Sequence, residues 1–450
     1  MTRPARPSDP ARPGRLDPLA RGLQRVTSRA LGPYQSAVVR VGFAATWLLF
    51  LLRELPHRNE LYGPDGPWAW DVARQLTSVN DAFTVLLWSD SQLWFEAVYA
   101  FAVLSSALFL LGWRTRTMSV LFMVGVLSLQ NRSIFMGDGG DNVIHLMAIY
   151  LVFTRCGQVW SLDARRHARA RADEHDGRAQ YGHEGRVLDA DGASVRADSH
   201  GVHARVDHVG PALWWGLGLV LVAMTFMAEL RWFWLVLFWG LWVAQGLWWV
   251  VGRRAPGGDT RRLLDVVANL VHNAALLVIM VEACLIYATA GWYKIQGSRW
   301  QDGTAVYYPL NLDYFSPWPA LSDLLASHGV MIMIITYGTV AVQVAFPFTL
   351  LNRRVKNVLL TLMIFEHAVI AVVLGLPFFS LAMIAADAVF LPTSFLRRLG
   401  DGAARARGAL LSRLPGPRLP SGGRTAAQEP QEDAERARED AEHARVGFGA

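Results

Sequence analysis

The sequence predicts an all-α fold, a polytopic membrane helical bundle of about ten transmembrane helices with disordered termini. Three observations predict it. Of the 450 residues, 52% are hydrophobic and only 18% charged, whereas a soluble chain of this length would form two or three domains with nearer a quarter of its residues charged. The apolar residues gather into repeated runs close to the roughly 20 residues that a helix needs to cross a bilayer. Basic residues concentrate in alternate connections between those runs, as in a chain threaded back and forth through a membrane. The formal charge of +6 therefore reports topology and contact with membrane lipid, and it does not point to nucleic acid.

Taken in order, residues 1–33 are rich in Arg, Pro and Ala and lack apolar periodicity, which predicts a disordered basic arm. No early apolar core followed by a small-residue cleavage site is present, so the first apolar run reads as a retained helix. The spans fall at about 37–55, 93–112, 117–136, 142–156, 210–228, 232–252, 264–290, 329–351, 357–375 and 377–396. The fourth is short enough to need tilt or shielding by protein. The fifth and sixth are crowded with tryptophan (ALWWGLGLV, RWFWLVLFWGLWVAQGLWWVVG), as lipid-facing helices with interfacial anchors are. Together, 34–396 form one transmembrane domain. Its 157–208 segment is a polar loop holding His167, His175, His183, His200, His203 and His208. With no fixed ligand spacing it reads as a solvated linker, and no metal site is expected. Residues 397–450 are low-complexity and charged, which predicts a disordered tail with a transient helix near its end. Cys156 and Cys284 both lie in or beside apolar spans, which excludes a disulfide framework.

Loop charge assigns the sides. The basic arm, Arg114 with Arg116, the 157–208 loop, Arg253, Arg254, Arg261 and Arg262, then Arg353, Arg354, Lys356 and the tail all fall on one side of a ten-span thread. The 53–92 loop, the DGGD turn, residues 229–231 and the 291–328 loop fall on the other. The positive-inside rule then puts both termini on the cytoplasmic side and the 291–328 loop outside; a multi-pass protein of the plasma membrane is the expected localisation.

Soluble-enzyme motifs such as HExxH, GxSxG, a P-loop or GxGxxG in strand context are absent. Polar residues at membrane depth are the candidates, because burying them in hydrocarbon is costly. In the seventh span Asn269, His272 and Asn273 share one helical face, which suits interhelical hydrogen bonding. Glu282, Tyr287 and Thr289 follow. The ninth span holds Glu366, which should seek a cation or a hydrogen-bonding partner, and His367, either a structural histidine or a proton shuttle. The tenth holds Asp387. Between spans three and four, QNRSIFMGDGGDNVIHL brings Asp138, Asp141, Asn142 and His145 together. Helix capping explains this loop; closure over a substrate head group is the alternative. Of 43 basic residues only Lys294 and Lys356 are lysines. Lys294 stands where the seventh span meets water, about 18 Å beyond Glu282 on an ideal helix. It is either a snorkelling anchor or a base, since an ammonium can lose its proton on burial where a guanidinium does not.

At these residues the chain resembles the horizontally transferred transmembrane (HTTM) family, whose best-known members are the vitamin K-dependent gamma-carboxylases; a bacterial-type member is expected. The resemblance is carried by LGWRTRTMSVLF, by DGGDN followed by WSLDARR, by AGWYKIQGSRWQDGTAVYY and by EHAVIAVVLGLPFFSLAMIAADAVFLP, which together cover most of 37–396. It implies that Lys294 matches the lysine that deprotonates vitamin K hydroquinone, with a quinol-like lipophilic molecule as cofactor. It also implies a site on the extracytoplasmic side, the side that loop charge gives independently. Lys294 and His367 are the catalytic candidates. Asp141, Asn142, His145, Tyr287, Trp300, Asp302 and Tyr308 are the substrate-binding ones. The chain departs from the pattern in five places. Tyr293 replaces a lysine, the loop after Lys294 is one residue longer, a polar Asn/His pair is only loosely echoed by Asp141 and Asn142, residues 209–252 read as an inserted helix pair, and the large lumenal region that presents a glutamate-bearing peptide has no counterpart. Two functions are therefore expected: quinol-dependent base chemistry, or a non-enzymatic membrane component for peptide maturation, export or partner binding.

Overall fold

The computed structural model describes residues 18–184, 208–227, 230–255 and 257–413. Among them every regular element is helical. The principal helices are α1 (Pro18–Ser28), α2 (Pro33–Glu54), α3 (Gln92–Leu111), α4 (Thr115–Arg132), α5 (Gly139–Val152) and α6 (Leu162–Glu184). They continue with α7 (Val209–Met227), α8 (Trp232–Arg254), α9 (Asp259–Gln296), α10 (Gly329–Ala345), α11 (Arg353–Val373), α12 (Pro377–Asp387) and α13 (Thr393–Arg413). Residues 1–396 make one compact unit and Arg397–Ala450 another. The described part of the second unit is the helical stretch to Arg413.

Buried stripes at helical spacing build the core of the first unit. On α2, Val39, Phe43, Trp47 and Leu51 are fully buried at intervals of four, which places them on one face. α3 and α4 pack against each other, α5 packs on α4, and α12 closes the group by lying against α2, α5 and α11. The stripe on α9 runs Asn269, His272, Leu276, Ile279, Ala283, Tyr287 and Gly291, so Lys294 stands one helical step further along the same buried face.

Among the described residues, seven helices are long and apolar enough to cross a membrane, or eight if Pro377–Phe390 and Thr393–Leu410 count as one span. This is the build of a multi-pass membrane protein, with seven or eight of the ten expected spans meeting that length and composition. The third and fourth predicted spans, now α4 and α5, do not meet it, and the tenth does so only as the bent pair. At 14 residues α5 is about 21 Å long, against a hydrocarbon core of about 30 Å. Both α4 and α5 bury a continuous face against neighbouring helices, so packing against protein takes up part of the role that length and uniform hydropathy play in a lipid-facing helix.

Parts of the segments read as disordered are helical. In the N-terminal arm, the α1 sequence LARGLQRV is rich in good helix formers, and the polar face of α9 satisfies its exposed end. Asn269 Nδ2 donates to Thr27 O at 2.9 Å, and Asn273 Nδ2 to Val26 O at 2.9 Å and Arg29 O at 3.1 Å. His272 Nε2 lies 2.8 Å from Leu31 O. The interhelical role expected for Asn269, His272 and Asn273 is their observed one. The 157–208 loop begins as α6, whose Ala- and Arg-rich run DARRHARARADE suits a helix without a partner face. The remainder of that loop, the first 17 residues and the tail from 414 lie outside the described residues.

The Trp-rich pair α7–α8 locks itself reciprocally. Trp214 and Trp242 stack with ring centroids 4.0 Å apart. Trp214 Nε1 donates to Trp242 O at 3.0 Å, and Trp242 Nε1 to Trp214 O at 2.9 Å. Four residues along each helix, Gly218 and Gly246 leave room for the opposing indole; a Cβ at either would lie under 3.0 Å from it. The repeated W-x3-G spacing is thus a helix-pairing device.

Candidate functional site

Three helices converge on a bridged ion pair. Lys294 Nζ, in the last turn of α9, donates to Gln343 Oε1 on α10 at 2.6 Å. Gln343 Nε2 donates in turn to Glu366 Oε1 on α11 at 2.8 Å. The amide is oriented, oxygen to the cation and nitrogen to the carboxylate, so Gln343 separates the two charges while satisfying both. Gln343 is buried. On its other side the ammonium lies 5.2 Å from the ring centroid of Trp300, within cation–π range. The close approach of α10 depends on Gly291, where a Cβ would come within 2.6 Å of Val344.

A second polar group sits one residue away in α11. Tyr287 Oη donates to Asp387 Oδ2 at 3.0 Å and lies 3.1 Å from His367 Nε2. Because the phenol's one proton goes to Asp387, Nε2 must carry the histidine proton, and the phenol oxygen accepts it. All three side chains are buried: Tyr287 at 1%, His367 at 2% and Asp387 at 0% exposure. His367 is thereby turned toward Tyr287 and Asp387, and Lys294 makes its hydrogen bond elsewhere.

The DGGD turn is a capping box. Asp138 Oδ1 accepts from the backbone of Gly140 and Asp141, and Asp141 Oδ2 accepts from Asp138 N at 2.9 Å. This is the capping expected of the loop, with Asp138 as the cap in place of Asp141 or Asn142. Burial pushes the Asp141 carboxyl up to about 6. His145 Nδ1 lies 3.0 Å from Gln130 Oε1. Asp141, Asn142 and His145 line one cavity of about 390 Å³ together with Tyr62, Gln130 and Asn131. Neither Lys294, Tyr287 nor His367 lines it, so the structure separates the candidate residues into two places. A packing chain links them: Gly140 lies against Phe379, whose ring centroid is 5.6 Å from that of His367. Asp302 and Tyr308 lie on the exposed connection after α9. Asp302 is held below the usual carboxylate range by hydrogen bonds from Thr304 and by Arg299 at 3.6 Å. The same Arg299 lies 4.8 Å over the Tyr308 ring.

Sequence reasoning missed Gln343, Gln130, Arg40 and Arg132. Gln343 was visible as the one amide inside TVAVQVAF. Arg40, inside the first span and fully buried, donates to the carbonyls of Phe109, Leu110 and Trp160 at 2.6–2.8 Å; it serves as a cationic cap on α3. Arg132 similarly holds the carbonyls of Gly63 and Trp68.

No family model matches the chain, and no solved structure matches it. Among curated proteins it is similar to Uncharacterized protein YitO of Bacillus subtilis (strain 168), 29% identical over 110 residues, which is 24% of this chain. The match spans 35% of that relative's length, and the relative's name carries no activity.

Proposed function

We propose that this is a membrane protein of the HTTM, gamma-carboxylase-like kind that binds a quinol-like lipophilic molecule at a site facing away from the cytoplasm, with Lys294 as proton acceptor. The observation that carries this reading is the direction of the Lys294 side chain. A lysine acting as an interfacial anchor extends its ammonium into water, whereas this one turns inward onto Gln343 and Trp300. Trp292 and Tyr293, the two residues before it, are 60% and 73% exposed on other faces of the helix, so this end of α9 offers aromatic side chains to a lipophilic ring approaching from the bilayer. In this role the pair reacts in its neutral form: with Glu366 holding the proton, Lys294 as the free amine takes the hydroxyl proton, and the resulting ammonium, tethered to Gln343, stands beside the negative charge it has created. Any redox chemistry belongs to the quinol. Carboxylation of a peptide is not part of the proposal.

One observation favours a second, non-enzymatic reading: Lys294 lines neither the cavity at His145 nor the apolar cleft between α3–α4 and α7–α8, as expected if the bridge only locks α9, α10 and α11 together in a component that serves a peptide partner. Purified parent and Lys294→Ala, each supplied with vitamin K hydroquinone and dioxygen as the oxidant, separate the two. General-base loss predicts oxidation at least about a hundredfold slower in the variant. Equal rates in two folded proteins, or no binding by the parent, would sink the catalytic reading.

A further inference from the structure

A third polar cluster lies far along α9 from Lys294, and neither the bridge nor the capping box uses it. Three guanidinium groups surround a single indole: Arg116 of α4, Arg155 after α5 and Arg261 of α9 stand 4.1, 5.6 and 4.4 Å from the ring centroid of Trp248 on α8. One carboxylate serves them. Asp265 accepts from Arg261 Nε at 3.1 Å and lies 3.5 Å from Arg155, and Arg155 is further held by Asn269 at 2.6 Å. The nearby Asp163 is taken up by the backbone and hydroxyl of Thr115 and by Arg166. Arg116 thus has the Trp248 face but no carboxylate hydrogen bond among the described residues. Three elements bring excess positive charge to one point on a fourth.

That point is the mouth of an apolar groove. Between α3–α4 and α7–α8 runs a cleft of about 440 Å³, lined by side chains such as Phe101, Val120, Leu217 and Leu241 and ending on Arg116 and Gln245. Its α7 wall extends from Trp214 to Met224, roughly 15 Å along the helix axis. All of these helices except α4 are apolar and long enough to cross a membrane, so the cleft opens at acyl-chain depth.

We propose that this groove is a binding site for an anionic phospholipid, one acyl chain lying in the cleft and the phosphate held by Arg116, Arg155 and Arg261. An anion supplies the charge the cluster lacks, and arginine forks match phosphate oxygens in pairs. A basic pocket between spanning helices is the physical form such recognition takes. A free phosphate would use the cations but leave the cleft unexplained; the continuity of Arg116 with the cleft commits the site to a lipid. The site is independent of what Lys294 does.

The test is native mass spectrometry of the full-length protein in detergent, titrated with phosphatidylglycerol and with phosphatidylcholine of the same chains. The parent should bind phosphatidylglycerol about tenfold more tightly. Arg116→Ala should erase most of that preference and Arg116→Lys only part of it, while Arg231→Ala, remote and ion-paired to Asp81 at 2.8 Å, should leave it unchanged. Ala97→Phe, which fills the cleft without touching a cation, should weaken both lipids, and it keeps the test decisive if Arg116→Ala fails to fold. Equal affinity for the two lipids, or a preference untouched by both Arg116→Ala and Ala97→Phe, overturns the proposal. Displacement of phosphatidylglycerol by millimolar inorganic phosphate overturns the lipid assignment in favour of a simple anion site.

Discussion

Gln343 decides what the two buried charges beside it can be. With its oxygen on Lys294 and its nitrogen on Glu366, neither charge is left unpaired, which in low dielectric would cost more than the pairing returns. Gln343→Leu should therefore lower the stability of the detergent-solubilised protein by about 1–3 kcal/mol, the scale of a stranded polar partner. In a Glu366→Leu background the same change should cost less, because one of the stranded groups is gone. Equal losses in the two backgrounds, read as melting shifts, would mean that the bridge carries no coupling energy. The need of Glu366 for a partner was legible from one carboxylate in an apolar run. The partner's identity was not, since 23 residues of chain separate it from Gln343 and only helix rotation brings them face to face. His367 shows the same limit. Its presence in a span was plain, but its tautomer and direction follow from Tyr287 on α9 and Asp387 on α12.

Helix pairing divides the elements into those that meet lipid and those that meet protein. α7 and α8 are mostly exposed along their length, and they hold each other through the Trp214–Trp242 stack. Because each indole both stacks and donates across the pair, removing one also strands the other. Trp214→Leu and Trp242→Leu should thus be non-additive, with a coupling of about 0.5–1.5 kcal/mol; strict additivity of their melting shifts would show that the pair is held elsewhere. At the other extreme, α4 and α5 each bury a continuous face against neighbouring helices. Hydropathy found them as apolar runs, yet it could not distinguish a helix that faces lipid from one that faces protein, because both conceal apolar side chains from water. The same blindness covers α1. Its Arg-rich composition reads as a solvated arm, and only the asparagines of α9 give its end a place to dock.

For the molecule as a whole, the thread through the membrane is the property most open to direct test. The arginine cluster around Trp248 joins the ends of α4, α5, α8 and α9, and the Arg-rich connections after α3 and α8 lead into it. Under the proposed sidedness, single cysteines placed in a cysteine-free background at Asp302 or Tyr314 should label from outside intact cells. Those at Arg114 or Arg353 should react only after permeabilisation. Outside labelling at Arg353 would invert the thread and remove the extracytoplasmic site with it. Composition alone settled that this chain is helical and rich in membrane-length apolar segments, because hydropathy is summed residue by residue along a run and needs no knowledge of neighbours. It also marked Lys294, Glu366, His367 and Asp387 as costly residues that require an explanation. Tertiary structure alone decided that Lys294 turns inward, that Gln343 joins it to Glu366, and that Asp141, Asn142 and His145 line a different cavity. Those outcomes depend on how far each helix is rotated and how closely Gly291 lets α10 approach, and such distances are set by packing between segments remote in sequence.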